Sequence, residues 1–347
     1  MNGAQAAAPQ RVPVTVLTGF LGAGKTTVLN RLIAGGEGRR YAVIVNEFGE
    51  LGIDGDLVVG AEEEVFELNN GCVCCKVRGD LLQTLGGLVK RKGRFDGFLI
   101  ETSGLADPAP VAQTFLADDE LRQHTRLDSI VCVADARHLE TGLAESEEAA
   151  AQLALADTVL VSKTDLVDAT ALAAIEALIR RANPTARILR ASRGEIAPAE
   201  LLDRGAFELD RLAVGPASHG DECDDPACDH PDHHHHHHHH AKPARHTAGI
   251  GSVSLRHDRP LDRSRFLPWL QRLVAERGAD LLRSKGIVAL AGSDRRFVFH
   301  GVHMMMDADF AGAWPEGSPR DSRLVFIGRN LDAEELGREL RLCEADG

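Results

Sequence analysis

Apolar positions in the first two hundred residues fall into short runs separated by stretches of helical period. The first run is Val12 to Thr18, followed by Tyr41 to Val45, Phe98 to Ile100, Ser129 to Ala134 and Thr158 to Val161. Their Val and Ile content and their length predict buried strands. Between them, Thr26 to Ile33, Asp80 to Arg91, Glu145 to Ala156 and Ala169 to Ala182 repeat apolar side chains every three or four positions, which predicts helices. Strands and helices in alternation predict an α/β domain with a mainly parallel sheet covered on both faces, over residues 11–205.

The pattern then breaks. Between His219 and Ala241 lie six acidic residues, Cys223, Cys228 and eight consecutive histidines, His233 to His240, with no Lys or Arg. Such a segment has no apolar surface with which to build a core, so 206–248 is expected to be a flexible linker. Periodicity resumes with a strand at Gly249 to Arg256 and a helix at Asp262 to Arg277. Strands at Leu281 to Leu290, Arg296 to Met306 and Ser322 to Gly328 follow, and a helix at Asp332 to Cys343 closes the chain. These predict a small α+β domain over 249–347. Residues 1–10, small and polar, are expected to be disordered, and no internal repeat is found.

Charge and composition narrow the function. The 347 residues carry 39 Lys and Arg against 52 Asp and Glu, a formal net charge of -13, which argues against a nucleic-acid surface. No apolar run approaches the ~18 residues that a membrane span needs. The first residues lack a basic stretch leading into an apolar signal region, so the setting is expected to be cytoplasmic. In a reducing compartment, seven cysteines with three of them in four positions indicate metal or redox chemistry rather than disulfides.

The most specific motif is Gly19-Phe20-Leu21-Gly22-Ala23-Gly24-Lys25-Thr26, which fits G-x-x-x-x-G-K-[ST] between a strand and a helix. Backbone N–H groups from Gly22, Ala23, Gly24, Lys25, Thr26 and Thr27 are expected to curl around phosphates at the positive end of the helix. Lys25 reaches the β- and γ-phosphates in this reading, and the Thr26 hydroxyl ligates Mg²⁺. Glu101, at the end of the run Phe98 to Ile100, supplies the acid for the metal side, and Gly104 in Thr102-Ser103-Gly104 brings an N–H to the γ-phosphate. Ser162-Lys163-Thr164-Asp165, again after a strand, points to guanine. A carboxylate at Asp165 accepts from N1–H and the 2-amino group, donors that adenine lacks, although Ser162 stands where Asn is more usual. Ser192 and Arg193 are candidates for the rim of the base pocket.

Gly71-Cys72-Val73-Cys74-Cys75 brings three thiols into four positions. Three thiolates on Zn²⁺ leave a fourth coordination position open, which suits a metal that must leave again. Buried structural cysteines or a redox pair are the alternatives. The motif falls between Asn46-Glu47-Phe48-Gly49-Glu50 and Glu101, the segments expected to sense the γ-phosphate, so metal held there can be coupled to nucleotide state. Glu47, Glu50, His124 and His138 are candidates to complete the shell. The linker histidines, including His233, His234 and His235, form a second region suited to weak metal buffering.

These motifs together resemble the CobW-like family of P-loop GTPases. The resemblance rests on the phosphate loop, Asn46 to Glu50, Cys72-Val73-Cys74-Cys75, Glu101 to Gly104, Ser162 to Asp165, and a C-terminal domain with Trp314 and Arg323 to Arg329. It implies metal-dependent GTP hydrolysis serving delivery of a metal to client proteins, with zinc, cobalt or iron as cargo in different branches. The His-rich linker favours Zn²⁺ over Co²⁺. A cobalt chaperone for cobalamin synthesis, an activator of a metalloenzyme of the nitrile hydratase type, and a passive zinc-storage protein are the competing expectations.

Overall fold

The computed structural model describes residues 11–36, 38–46, 64–67, 75–90, 94–207 and 249–346. The expectations for residues 1–10, Glu47, Glu50, Cys72, Cys74 and the histidine run fall outside them, as does the Cys75 side chain.

Seven parallel strands form the first sheet, in the order β3-β2-β4-β1-β5-β6-β7. They are β1 (Val12–Thr18), β2 (Tyr41–Asn46), β3 (Glu64–Glu67), β4 (Gly97–Thr102), β5 (Thr125–Asp135), β6 (Thr158–Ser162) and β7 (Arg187–Arg190). In β4 every residue is buried and in β5 all but one, the signature of strands covered on both faces. Helices α1 (Lys25–Ala34), α2 (Cys75–Val89), α3 (Ala109–Ala117), α4 (Asp119–His124), α5 (Leu139–Glu145), α6 (Glu147–Leu155), α7 (Ala169–Ala182) and the short α8 (Pro198–Leu201) complete this unit.

The C-terminal residues form an antiparallel sheet ordered β11-β10-β9-β12-β8. Its strands are β8 (Ile250–His257), β9 (Leu281–Val288), β10 (Arg295–Val302), β11 (Met305–Ala313) and β12 (Ser322–Arg329). Helices α9 (Arg263–Arg277) and α10 (Ala333–Arg341) cover one face around Phe266, Trp269, Phe299, Phe326 and Leu336. Alternation along the strands sends Ile250, Leu282, Val302 and Ile327 the other way, into the core of the first unit.

That second face carries a buried charge cluster. Asp157, just before β6, accepts from Arg283 Nη2 at 2.8 Å, from Lys285 Nζ at 2.7 Å and from the Ile130 amide at 3.0 Å. Burial alone would raise the Asp157 carboxyl, but the two cations hold it below its ordinary value. The Arg283 guanidinium also lies 4.1 Å from the Phe207 ring centre, and Phe207 meets His300 edge-on.

Several elements differ from expectation. Arg296 to Met306, read as one strand, is split by a turn at His303, which takes φ 52, and the chain returns as β11. Helices α3 and α4 are not among the expected elements. Pro108 caps α3, where its missing N–H costs nothing. The helix expected from Asp80 starts at Cys75. The helix expected from Glu145 starts at Glu147, capped by the Ser146 hydroxyl accepting from the Ala149 amide, and the separate α5 precedes it. β3, only four residues long, was also missed. Among the described residues no helix is long and apolar enough to cross a membrane.

Candidate functional site

Parallel strands all end at one edge of their sheet, and the site is built there. β1 runs into the glycine-rich turn, and Gly24 at φ 98 caps α1 without a side chain, so the first-turn N–H groups face the loop. Gly19 marks the closest approach of backbone to backbone. A Cβ there would lie 2.2 Å from the Val133 carbonyl oxygen, and its φ of 140 disfavours any other residue.

Lys25 is buried, with Nζ 3.4 Å from the Phe20 carbonyl oxygen across the loop. The Thr26 hydroxyl donates to Glu101 Oε1 at 3.0 Å. Glu101 reaches that position because β4 pairs with β1 in a register that sets Leu17 beside it. Next to it, the Thr102 hydroxyl donates to Thr18 Oγ1 at 2.9 Å and locks the two strand ends together. Gly104 follows, pressed so closely on the loop that a Cβ would meet the Leu21 amide nitrogen at 2.8 Å.

Ser162 and Lys163 both grip the same loop. The Ser162 hydroxyl donates to the Ala23 carbonyl at 2.7 Å and the Ala134 carbonyl at 3.3 Å. Lys163, in a left-handed conformation at φ 55, donates to the Gly22 carbonyl at 2.7 Å and to Asp135 Oδ2 at 2.8 Å. Burial would raise the Asp135 carboxyl, but the hydrogen bonds from Lys163 and His138 bring it below its ordinary value. Asp165 is exposed and accepts from the Ser192 hydroxyl at 3.2 Å. Arg193 and Gly194 continue that rim, with Gly194 pressed against Thr27. The structure thus brings Lys25, Thr26, Glu101 and Gly104 to one side of the loop, and Lys163, Asp165 and Ser192 to the other. Sequence reasoning missed Asp135, whose signal was an acid at the end of a buried run.

Hydroxyl and carboxylate oxygens only 3.0 Å apart at the loop suit a hard divalent ion. Of the candidate metal ligands, the described residues include His124 and His138. His138 Nδ1 bonds Asp135 Oδ2 at 2.9 Å beside Lys163, and His124 Nδ1 donates to the Glu120 carbonyl at 2.9 Å. Among the described residues no group of three or more His, Cys, Asp or Glu is arranged to hold a metal. Cys132 and Cys343 are buried, and burial pushes the Cys132 thiol up to about 12, so it supplies no thiolate near neutral pH.

The CobW/HypB/UreG nucleotide-binding domain model matches residues 13–190, and the C-terminal domain model of the cobalamin synthesis protein cobW matches 250–344. The chain belongs to the CobW/HypB/UreG family. A protein named zinc chaperone CobW from Pseudomonas aeruginosa is 37% identical over 368 aligned residues, covering 96% of this chain and 92% of that one. The zinc chaperone YjiA of Escherichia coli is 32% identical, over 94% of this chain and 96% of its own. The crystal structure of Zn(II)-bound YjiA GTPase from E. coli superposes with a TM-score of 0.74 at 27% identity, covering 97% of this chain and all of that chain. In this CobW-family chain both halves of the architecture, parallel and antiparallel, therefore recur in a solved relative.

Proposed function

We propose that this chain is a GTPase that couples nucleotide turnover to the transfer of zinc to a client protein, in a cytoplasmic setting. One observation carries the reading: β1, which runs into the phosphate loop, β4, which ends at Glu101 and Thr102, and β3, which α2 follows from Cys75, are parallel strands of one sheet and end at the same edge. β3 ends at that edge, and α2 must begin there because it runs back to reach the start of β4. The thiol motif runs into that helix, its last cysteine being the first residue of α2. The names of the relatives, zinc chaperones and a Zn(II)-bound GTPase, support zinc as cargo.

In this reading the N–H groups of Gly22 to Thr27 hold the phosphates, and Lys25 neutralises charge that grows between the β- and γ-phosphates as the bond loosens. Thr26 and Glu101 would hold Mg²⁺, which when bound screens the phosphate charge. Gly104 donates its N–H to the γ-phosphate. Ser162 and Lys163 act through the loop, whose Ala23 and Gly22 carbonyls they fix. The hydroxyl at Ser162 thereby does a positioning task that needs no amide. Cys72, Cys74 and Cys75 bind the cargo ion as thiolates, Glu47 is the candidate fourth ligand, and the histidine segment gathers metal for them.

Asp165 selects the base. Asp165→Asn removes the acceptor for N1–H and the 2-amino group, and is expected to weaken GTP binding by roughly 10- to 100-fold with little effect on ATP. Competition of GTP and ATP against a fluorescent GDP analogue measures this. Equal affinity of the unmutated protein for the two nucleotides would contradict the base assignment.

A further inference from the structure

Helix α6 is buried from Ala149 to Leu155 and reads Ala-Ala-Ala-Gln-Leu-Ala-Leu over that span. It lies between the parallel sheet and the C-terminal sheet, touching β8 and β9. Packing there calls for no polar side chain, and a buried amide without partners is destabilising. Gln152 is nonetheless 0% exposed. Its Nε2 donates to the carbonyl oxygens of Gly104 and Ala106, each at 3.0 Å. Its Oε1 has no hydrogen-bond partner among the described residues. With two carbonyl acceptors facing it, the amide can be oriented only as a donor. The turn it holds is the one pressed on the phosphate loop, where a Cβ on Gly104 would sit 2.8 Å from the Leu21 nitrogen and 2.9 Å from its Cα. The Gly104 turn is therefore clamped between Leu21 and Gln152. At the start of the same helix, Glu147 pairs with Arg329 of β12 at 3.2 Å.

We propose that Gln152 is a positioning residue for GTP hydrolysis, holding the Gly104–Ala106 turn so that the Gly104 N–H meets the γ-phosphate. This rests on the reading of Gly104 as the γ-phosphate contact. Loops that sense the γ-phosphate exchange between ordered and relaxed states, and two hydrogen bonds from one buried side chain favour the ordered one. Because α6 is packed against the C-terminal sheet, movement of the turn is transmitted to that domain through the same helix.

Gln152→Met keeps the shape and removes both donors. It is expected to lower kcat for GTP roughly 10- to 100-fold and to weaken a non-hydrolysable GTP analogue, while GDP binding stays within about twofold. Gln152→Glu supplies a readout that packing alone would not move. A buried carboxyl stays protonated at low pH and can donate to one carbonyl, but once ionised it repels both. Its kcat relative to the unmutated protein should therefore fall as pH rises from about 6 to about 9. A Gln152→Met protein with kcat and GTP-analogue preference within about twofold of the original overturns the proposal, as does a flat pH ratio for Gln152→Glu. If Gln152→Met does not fold, the pH ratio decides alone. Gly104→Ala separates the two readings, since it is expected to lose preference for the analogue over GDP. Loss there with none in the Gln152 variants overturns only the role of Gln152, and no loss there contradicts the γ-phosphate reading and the proposal with it.

Discussion

Replacing Lys25 by alanine is expected to lower single-turnover GTP hydrolysis by about 10²- to 10³-fold, or roughly 3 to 4 kcal/mol of transition-state stabilisation. The lysine is buried at the first position of α1, with its ammonium turned back across the loop toward the Phe20 carbonyl. Its position is set by the loop and the helix start, so charge building on the transferring phosphoryl group meets a fixed cation rather than a mobile one. Phosphate release with the protein in excess over GTP is the measurement. The variant should retain its unfolding midpoint, because α1 keeps Val28, Leu29 and Leu32 in the core. Turnover within about threefold of the original would show that the phosphates do not sit in this loop during the reaction.

The second large effect lies far from the nucleotide. Asp157→Ala leaves the buried Arg283 and the partly buried Lys285 without their carboxylate and the Ile130 amide without its side-chain acceptor. Breaking a buried ion pair from one side costs about 3 to 5 kcal/mol, because the remaining charge is uncompensated. Both tryptophans, Trp269 and Trp314, belong to the C-terminal unit, so urea unfolding followed by their fluorescence reports on that unit directly. The transition should move to clearly lower urea in Asp157→Ala. Replacing the cluster together, as Asp157→Leu with Arg283→Met and Lys285→Met, should recover most of the loss. A single variant with an unchanged midpoint would show that the cluster does not hold the two sheets together. The carboxyl titrates below its ordinary value in the folded chain. Its contribution is thus complete above about pH 4 and is lost as pH falls through the folded value.

The phosphate loop was legible because its chemistry is local: glycines, Lys25 and Thr26 occupy adjacent positions between a strand and a helix. Glu101 and Asp165 were legible for a related reason, each standing at or just beyond the end of an apolar run. Gln152 was not, since its partners Gly104 and Ala106 are 48 and 46 positions away and only the sheet brings them near. Its one trace in the sequence is a lone amide in a helix of alanines and leucines. The interlocking of the two units was equally hidden. Arg283 and Lys285 alternate correctly for a sheet face, but nothing in the strand itself says that the face meets Asp157 rather than water. The turn residues His303 and Met304 are not Gly, Asn or Pro, so β10 and β11 read as one strand.

Nucleotide-coupled zinc handling is tested most directly by Zn²⁺ competition against a chelator at fixed pH, with the protein held first with a non-hydrolysable GTP analogue and then with GDP. The expected result is one tight site, lost in the Cys72→Ser, Cys74→Ser, Cys75→Ser variant, whose affinity differs between the two nucleotides by roughly 5- to 150-fold. Linkage requires the same factor in the preference for GTP analogue over GDP when zinc is added. Identical zinc affinity with either nucleotide would contradict the coupling and leave a protein that binds zinc and hydrolyses GTP independently.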